Sequence, residues 1–262
     1  MLRNWPIIVL IFWLVAVALS AFADLRPDAI NLSNILHGPD TSAWLGYDDL
    51  GRDILSRILA GAQISMIVAI VVTAVTLSIG VTLGLVAGFF GGWVDRFLMQ
   101  VTDIFLAFPG ILLAIAFAAV LGPGLNNLIL ALSLTSWVGY ARLTRAQALS
   151  LRNRQHVQAA AVLGATRSRI MLRHMLPLLA APLVVEATYS IAGLIVAEAS
   201  LSFLGLGIQA PQASWGSMLR DGVRYMLVAP HYVLAAGVSL MTLVLAVNVL
   251  GDKLRDVLDV KR

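Results

Sequence analysis

The sequence predicts an all-α polytopic membrane protein of about six transmembrane helices, with both termini cytoplasmic and a cytoplasmic helical loop between spans 4 and 5. Three observations carry that expectation. Of 262 residues, 60% are hydrophobic and 12% charged, against roughly 45–50% and about 25% in soluble domains, and the mean hydropathy is +0.89. Apolar runs long enough to cross a hydrocarbon core of about 30 Å recur along the chain. In the six-span arrangement, thirteen of the eighteen Lys and Arg side chains fall on the cytoplasmic side and five on the outer side. The inverted arrangement would break the positive-inside rule. Residues 1–262 read as one transmembrane domain, with 1–65 the first span and outer loop, 66–250 the core spans and 251–262 a cytoplasmic tail.

Trp5 to Ala23 is the first spanning run. It follows Arg3 and ends at Ala21-Phe22-Ala23, which also resembles a signal-peptidase site. Its length favours a retained anchor over a cleaved signal. Asp24 to Ser56 is polar, contains Pro27 and Pro39, and reads as an outer loop. Within it Leu45 to Ser65, LGYDDLGRDILSRILAGAQIS, is expected to be a short amphipathic helix leading into the membrane. Met66 to Phe90 is the second span. Gly80, Gly84 and Gly88 recur every four residues there, a small-residue stripe that lets another helix approach closely, and helix packing is the preferred reading over pore lining. Gly91, Gly92 and Asp95 mark a tight cytoplasmic turn.

Phe97 to Leu121 is helical with an interruption at Phe108-Pro109. Leu121-Gly122-Pro123-Gly124 turns the chain at the outer side, and Asn127 to Leu143 returns. Leu178 to Ser200 crosses outward, Gly205 to Pro230 is an outer polar stretch, Tyr232 to Leu250 crosses back, and LGDKLRDVLDVKR ends inside.

Between spans 4 and 5 lies Gln158 to Pro177, too polar for a bilayer because of Arg167, Arg169, Arg173 and His174. Ala159, Ala160, Ala161, Val162 and Leu163 favour helix, and Gly164 can take the positive φ that ends one. Thr166 or Ser168 can cap a second short helix. Pro177 suits the start of the next span, where its missing N–H is no loss. A short helix with small side chains can seat in a groove of another protein.

The sequence lacks the elements of several chemistries. A P-loop requires Gly-Lys-Ser/Thr, and the only lysines, Lys253 and Lys261, follow Asp252 and Val260. If ATP drives any process here, another polypeptide must bind it. His37, His156, His174 and His231 stand at no metal-ligand spacing, so no metal site is expected. Without a G-x-S-x-G or H-E-x-x-H signature, and without cysteine, the chain reads as a non-enzyme. Three carboxylates fall at membrane depth, where such groups face a partner or a watery cavity. Asp103 is expected to form a structural ion pair with Arg96, Arg142 or Arg145, with a place on a pathway as the alternative. Glu186, after Pro182, is a candidate pathway residue. Glu198 opens EASLSFLGLGIQAPQASWG, whose glycines let the chain fold back at the outer surface.

Gln158-Ala159-Ala160, Gly164 and Leu176-Pro177 resemble the EAA loop of ABC-importer permeases, with Gln158 in place of the usual glutamate. LGYDDLGRD, SFLGLG…SWG and LGDKLRDVLD extend the resemblance over Leu45 to Lys261. They are similar to the dipeptide/oligopeptide/nickel permeases, of the "C" type. That resemblance implies an inner-membrane subunit forming half of a pathway for di- or oligopeptides. By the same resemblance it is expected to pair with a second homologous permease and to dock two ATP-binding cassette ATPases that hold ATP and Mg. A periplasmic binding protein delivers the cargo, and no nucleic acid is involved. Nickel or a metal chelate is the alternative cargo. An ion-coupled secondary transporter using Asp103 and Glu186 is the alternative class, and no convincing internal repeat supports it.

Overall fold

A computed structural model describes residues 4–20 and 25–259. Ala21-Phe22-Ala23, Arg3, Lys261 and Arg262 lie outside the described residues. The helices are α1 Trp5–Ser20, α2 Ile54–Phe90, α3 Gly92–Leu106, α4 Gly110–Leu121, α5 Leu125–Arg152, α6 Gln155–Val162, α7 Arg167–Arg169, α8 Leu176–Phe203, α9 Trp215–Val223 and α10 Pro230–Asp259. Among the described residues the only β pairing is an isolated bridge between Tyr47 and Asp53.

Three helical runs are long and apolar enough to cross a membrane: α2, the continuous run Arg167–Phe203, and α10. α3 and α4 reach that length and apolarity only when taken together, and they are bent by 83° at their junction. The interruption falls where Phe108 and Pro109 predict it, because Pro109 offers no N–H to continue α3. α1 is apolar but shorter. α5, Leu125–Arg152, runs well past the expected Asn127 to Leu143.

The segment Leu45 to Ser65 corrects the sequence reading. No separate amphipathic helix forms; residues through Asp53 fold as a compact loop, and α2 starts at Ile54 and runs 37 residues to Phe90, about 55 Å at 1.5 Å per residue. The charges of YDDLGRDILSR close this loop instead of forming a wet helix face. Asp48 is fully buried, and its Oδ1 accepts from the backbone N–H of Leu50 and Arg52, each at 2.9 Å. Its Oδ2 pairs with Arg52 Nε at 2.7 Å and Arg57 Nε at 3.3 Å. Arg57 also donates to Pro27 O at 3.0 Å and reaches Pro211 O at 3.4 Å. Asp53 caps α2 by accepting from Ser56 N at 2.8 Å. Trp215, at the start of α9, donates its indole N–H to Ile58 O at 3.0 Å. Loop 25–53 and the segment around α9 are thereby fastened as one cap on the N-terminal end of α2.

The helices below the cap are held by close backbone approach. A Cβ on Gly80 would lie 2.5 Å from Trp137 O, one on Gly84 2.3 Å from Ala141 O, and one on Gly88 2.6 Å from Ala148 Cβ. The glycine stripe therefore faces α5, and α2–α5 is the most extensive helix pair. α1 lies against α10, where the Trp13 indole donates to Thr242 Oγ1 at 3.3 Å. The core has two main parts. One, near the cap, gathers Trp13, Ile54, Ile58, Leu128, Ile195, Trp215 and Tyr232. The other, at the opposite end, gathers Leu85, Tyr140, Leu151, Ile170, Met175 and Leu179.

Candidate functional site

The loop after α5 builds a rigid corner from short-range chemistry. α6 ends in a Schellman arrangement: Ala165 N donates to Ala160 O at 3.0 Å and Gly164 N to Ala161 O at 3.1 Å. Gly164 has φ +83°, a conformation that a Cβ makes costly. Thr166, one of the two residues expected to cap, is the N-cap, and its Oγ1 accepts from Arg169 N at 3.4 Å. The next helix does not stay short, which corrects the expected pair of separate helices. α7 passes through a π-helical stretch, Ile170–Met175, straight into α8, where Pro177 sits in the first turn. Leu176 N donates to Met171 O, five residues back. Widening the turn accommodates a proline that has no N–H to give.

The corner is seated on the chain's own second core. Val157 and Ala160 are buried in it beside Leu151, Ile170 and Met175, and the Arg167 guanidinium lies 5.6 Å from the centre of the Phe90 ring at the end of α2. Ala160 is 8% exposed, packed on that core, and its remaining surface lines a shallow concavity with Ala159, Leu163 and Gly164. Gln158, Ala159 and Gly164 remain exposed. Leu176 is partly buried and Pro177 exposed; both belong to the α8 stem. Val162 and Leu163, which sequence reasoning used only as helix formers, are 87% and 86% exposed. Two aliphatic side chains so exposed at a loop tip form an apolar contact patch. Their adjacency to the positive-φ glycine was the available signal.

The three carboxylates do not converge. Glu198 is fully buried and closed in by hydroxyls: Ser65 Oγ donates to Oε2 at 2.8 Å and Ser202 Oγ to Oε1 at 2.9 Å. It joins α2 to α8. Glu186 is half-buried on α8, in a concavity shared with Tyr189, Arg255 and Pro182, and Tyr189 donates its hydroxyl to Asp252 Oδ1 at 2.6 Å. Asp103 is exposed and forms no ion pair among the described residues. The expected pair exists with a different acid: Arg145 makes a two-pronged contact with Asp95, its Nη2 2.7 Å from Oδ2. Asp95 and Asp103 share a face of α3, but Asp103 lies two turns, about 12 Å, further along, and Arg145 reaches the nearer one. Among the described residues no group of three or more His, Asp or Glu could hold a metal ion.

A bundle of long apolar helices, one of them broken, carrying a helical corner packed onto its end, is the architecture of a multi-pass helical membrane protein. Residues 80–260 match the family described as "Binding-protein-dependent transport system inner membrane component", and the chain belongs to that family. It is 45% identical over 228 residues to the glutathione transport system permease protein GsiD of Escherichia coli O6:K15:H31 (strain 536 / UPEC), covering 87% of this chain and 75% of that one. It is 42% identical over 242 residues to the dipeptide transport system permease protein DppC of Alkalihalophilus pseudofirmus, covering 92% and 78%. In fold it is similar to a chain of the MetNI methionine ABC transporter in an inward-facing conformation, with TM-score 0.62 and 19% identity over 77% of this chain and 95% of that one.

Proposed function

We propose that the chain is one half of the translocation pathway of an ATP-driven importer of di- or oligopeptides in a bacterial cytoplasmic membrane. One observation supports this reading above the rest: relatives named for a tripeptide and for dipeptides align over most of their length at 45% and 42% identity. In this reading the chain crosses six times, by α1, α2, the α3–α4 pair, α5, the α7–α8 run and α10. Both termini and the α6 corner face the cytoplasm, and the cap faces the periplasm. A second, homologous permease completes the pathway, two ATPase subunits bind ATP and Mg, and a periplasmic receptor delivers cargo to the cap. The chain itself carries no cofactor.

The corner gives this reading a mechanism. Gln158, Ala159, Val162, Leu163 and Gly164 offer an exposed rim, while Val157 and Ala160 bind the same element to the core shared by α2, α5 and α8. A push on the rim cannot be absorbed by a flexible linker. It passes into two helices through the π stretch and Arg152–Asn153. A rigid connection of this kind is what an ATP-driven rocking motion needs in order to move two helices together.

The test is purification of the tagged chain in mild detergent, expressed with its neighbouring genes, followed by mass spectrometry and reconstitution. Recovery of a second permease and P-loop ATPases, with ATP-dependent uptake of a labelled dipeptide, is the expected result. Recovery of the chain alone, active and driven by a proton gradient, would overturn it.

A further inference from the structure

α4, α5 and α8 enclose a groove of about 450 Å³, within the range of roughly 300–1,000 Å³ typical of small-molecule sites. Gly110 of α4, Thr135 and Ser136 of α5, and Ser190, Gly193 and Ser200 of α8 line it. No charged residue and no histidine does. Asp103, Glu186 and Glu198 all lie elsewhere.

Three observations distinguish this groove from a lipid-facing furrow. First, its hydroxyls come from two helices and keep hydrogen-bonding capacity to spare. Thr135 Oγ1 donates to Leu132 O at 3.1 Å and Ser200 Oγ to Val196 O at 2.8 Å, which leaves their oxygens free to accept. The Ser136 hydroxyl makes no hydrogen bond among the described residues, and a hydroxyl without a partner is costly in hydrocarbon. Second, α5 has the length to span yet is not among the helices apolar enough by composition to cross a membrane, as expected of a helix with one polar face turned from lipid. Third, the break between α3 and α4 ends at Gly110, on the groove's edge. Non-helical backbone at membrane depth is tolerated where it is covered by protein or lines a polar cavity.

We infer that this groove is the chain's wall of the pathway and that it passes short peptides by neutral hydroxyl contacts. The inference rests on the permease reading above and adds the surface and the chemistry. A peptide backbone alternates donors and acceptors, and hydroxyls serve both. Its termini carry opposite charges, so a wall bearing one sign would hold one end too tightly. A conducting surface must release what it binds. A bare divalent cation finds neither carboxylate nor imidazole here.

The chain contains no cysteine, so each introduced thiol can be read against the same importer carrying the unmodified chain. In the complete importer, Ser136→Cys and Ser190→Cys should react with a charged, water-soluble methanethiosulfonate, whereas Leu245→Cys on α10 should not. Reaction should stop uptake, and saturating dialanine or glutathione should slow it several-fold. Unreactive thiols at 136 and 190 would overturn the inference and leave the permease reading standing, provided that importer still recovers its ATPases and takes up peptide; lipid or the second permease would then cover the groove. Reactive thiols that neither peptide protects would overturn it equally, making the groove a wet cleft off the peptide's route. Failure to recover ATPases or uptake with the unmodified chain would instead remove the reading on which both rest.

Discussion

Ser65 Oγ donates to Glu198 Oε2 at 2.8 Å across 133 residues of sequence, and this bond joins α2 to α8 within the buried core. The other carboxylate oxygen is held by Ser202, whose Oγ also accepts Ile208 N–H at 3.2 Å. Ser65→Ala leaves a buried carboxylate oxygen short of a donor, which costs about 1–3 kcal/mol. A lower midpoint of thermal unfolding in detergent is expected, with Glu198→Leu worse, because Ser65 and Ser202 then both lose their acceptor. Unchanged midpoints in both would show that the cluster is not structural.

The α2–α5 seam makes a steric prediction. A Cβ on Gly84 would stand 2.3 Å from Ala141 O, whereas one on Gly193 meets nothing within 4 Å. Gly84→Val should destabilise by about 1–3 kcal/mol or more through overpacking, visible as lost monodisperse protein on size-exclusion chromatography. Gly193→Ala should leave that profile intact.

The cap is held by buried charge. Asp48→Asn removes the carboxylate that Arg52 and Arg57 share. Both residues, 5% and 3% exposed, keep only the longer ion pairs to Asp49 at 3.5 Å and Asp28 at 3.4 Å. Breaking a buried pair in this way costs about 3–5 kcal/mol. Limited proteolysis should then cut within residues 25–53 of the variant and spare the parent. Equal resistance would place the cap's stability in its apolar contacts instead.

The corner separates seat from rim. Leu163→Glu and Ala159→Glu put charge on the exposed rim and should abolish recovery of the ATPases without changing the chain's own unfolding midpoint. Ala160→Leu overfills a position that is 8% exposed and should lower that midpoint by an amount equivalent to about 1–3 kcal/mol. Gly164→Val forces a side chain into φ +83°, at about 1–2 kcal/mol, and should weaken both properties. If the rim variants keep their ATPases, docking occurs elsewhere.

Much of the architecture was legible because lipid imposes strict local rules. Apolar runs, the Phe108-Pro109 break, the positive-φ glycine of the corner and the capping threonine are each decided within a few residues. The charged string after Leu45 misled for a definite reason. Its spacing fits a helix face, but Asp48 finds more donors by closing a loop onto Arg52 and Arg57 than it would along a helix. Asp103 misled similarly: it and Asp95 share a face of α3, and only the depth of Arg145 chooses between them.

By itself, the sequence determined that this is a polytopic helical membrane protein with a helical corner between two of its long helices. Those properties follow from composition, periodicity and backbone preference, all of which act locally. Tertiary structure alone decided which side of the corner is free, which acid Arg145 pairs with, that Glu198 is a sealed core group, and that the hydroxyls of α5 and α8 share one groove. Each depends on the depth and rotation at which two distant helices meet, set by packing such as that of Gly84 against Ala141, and no single segment encodes it.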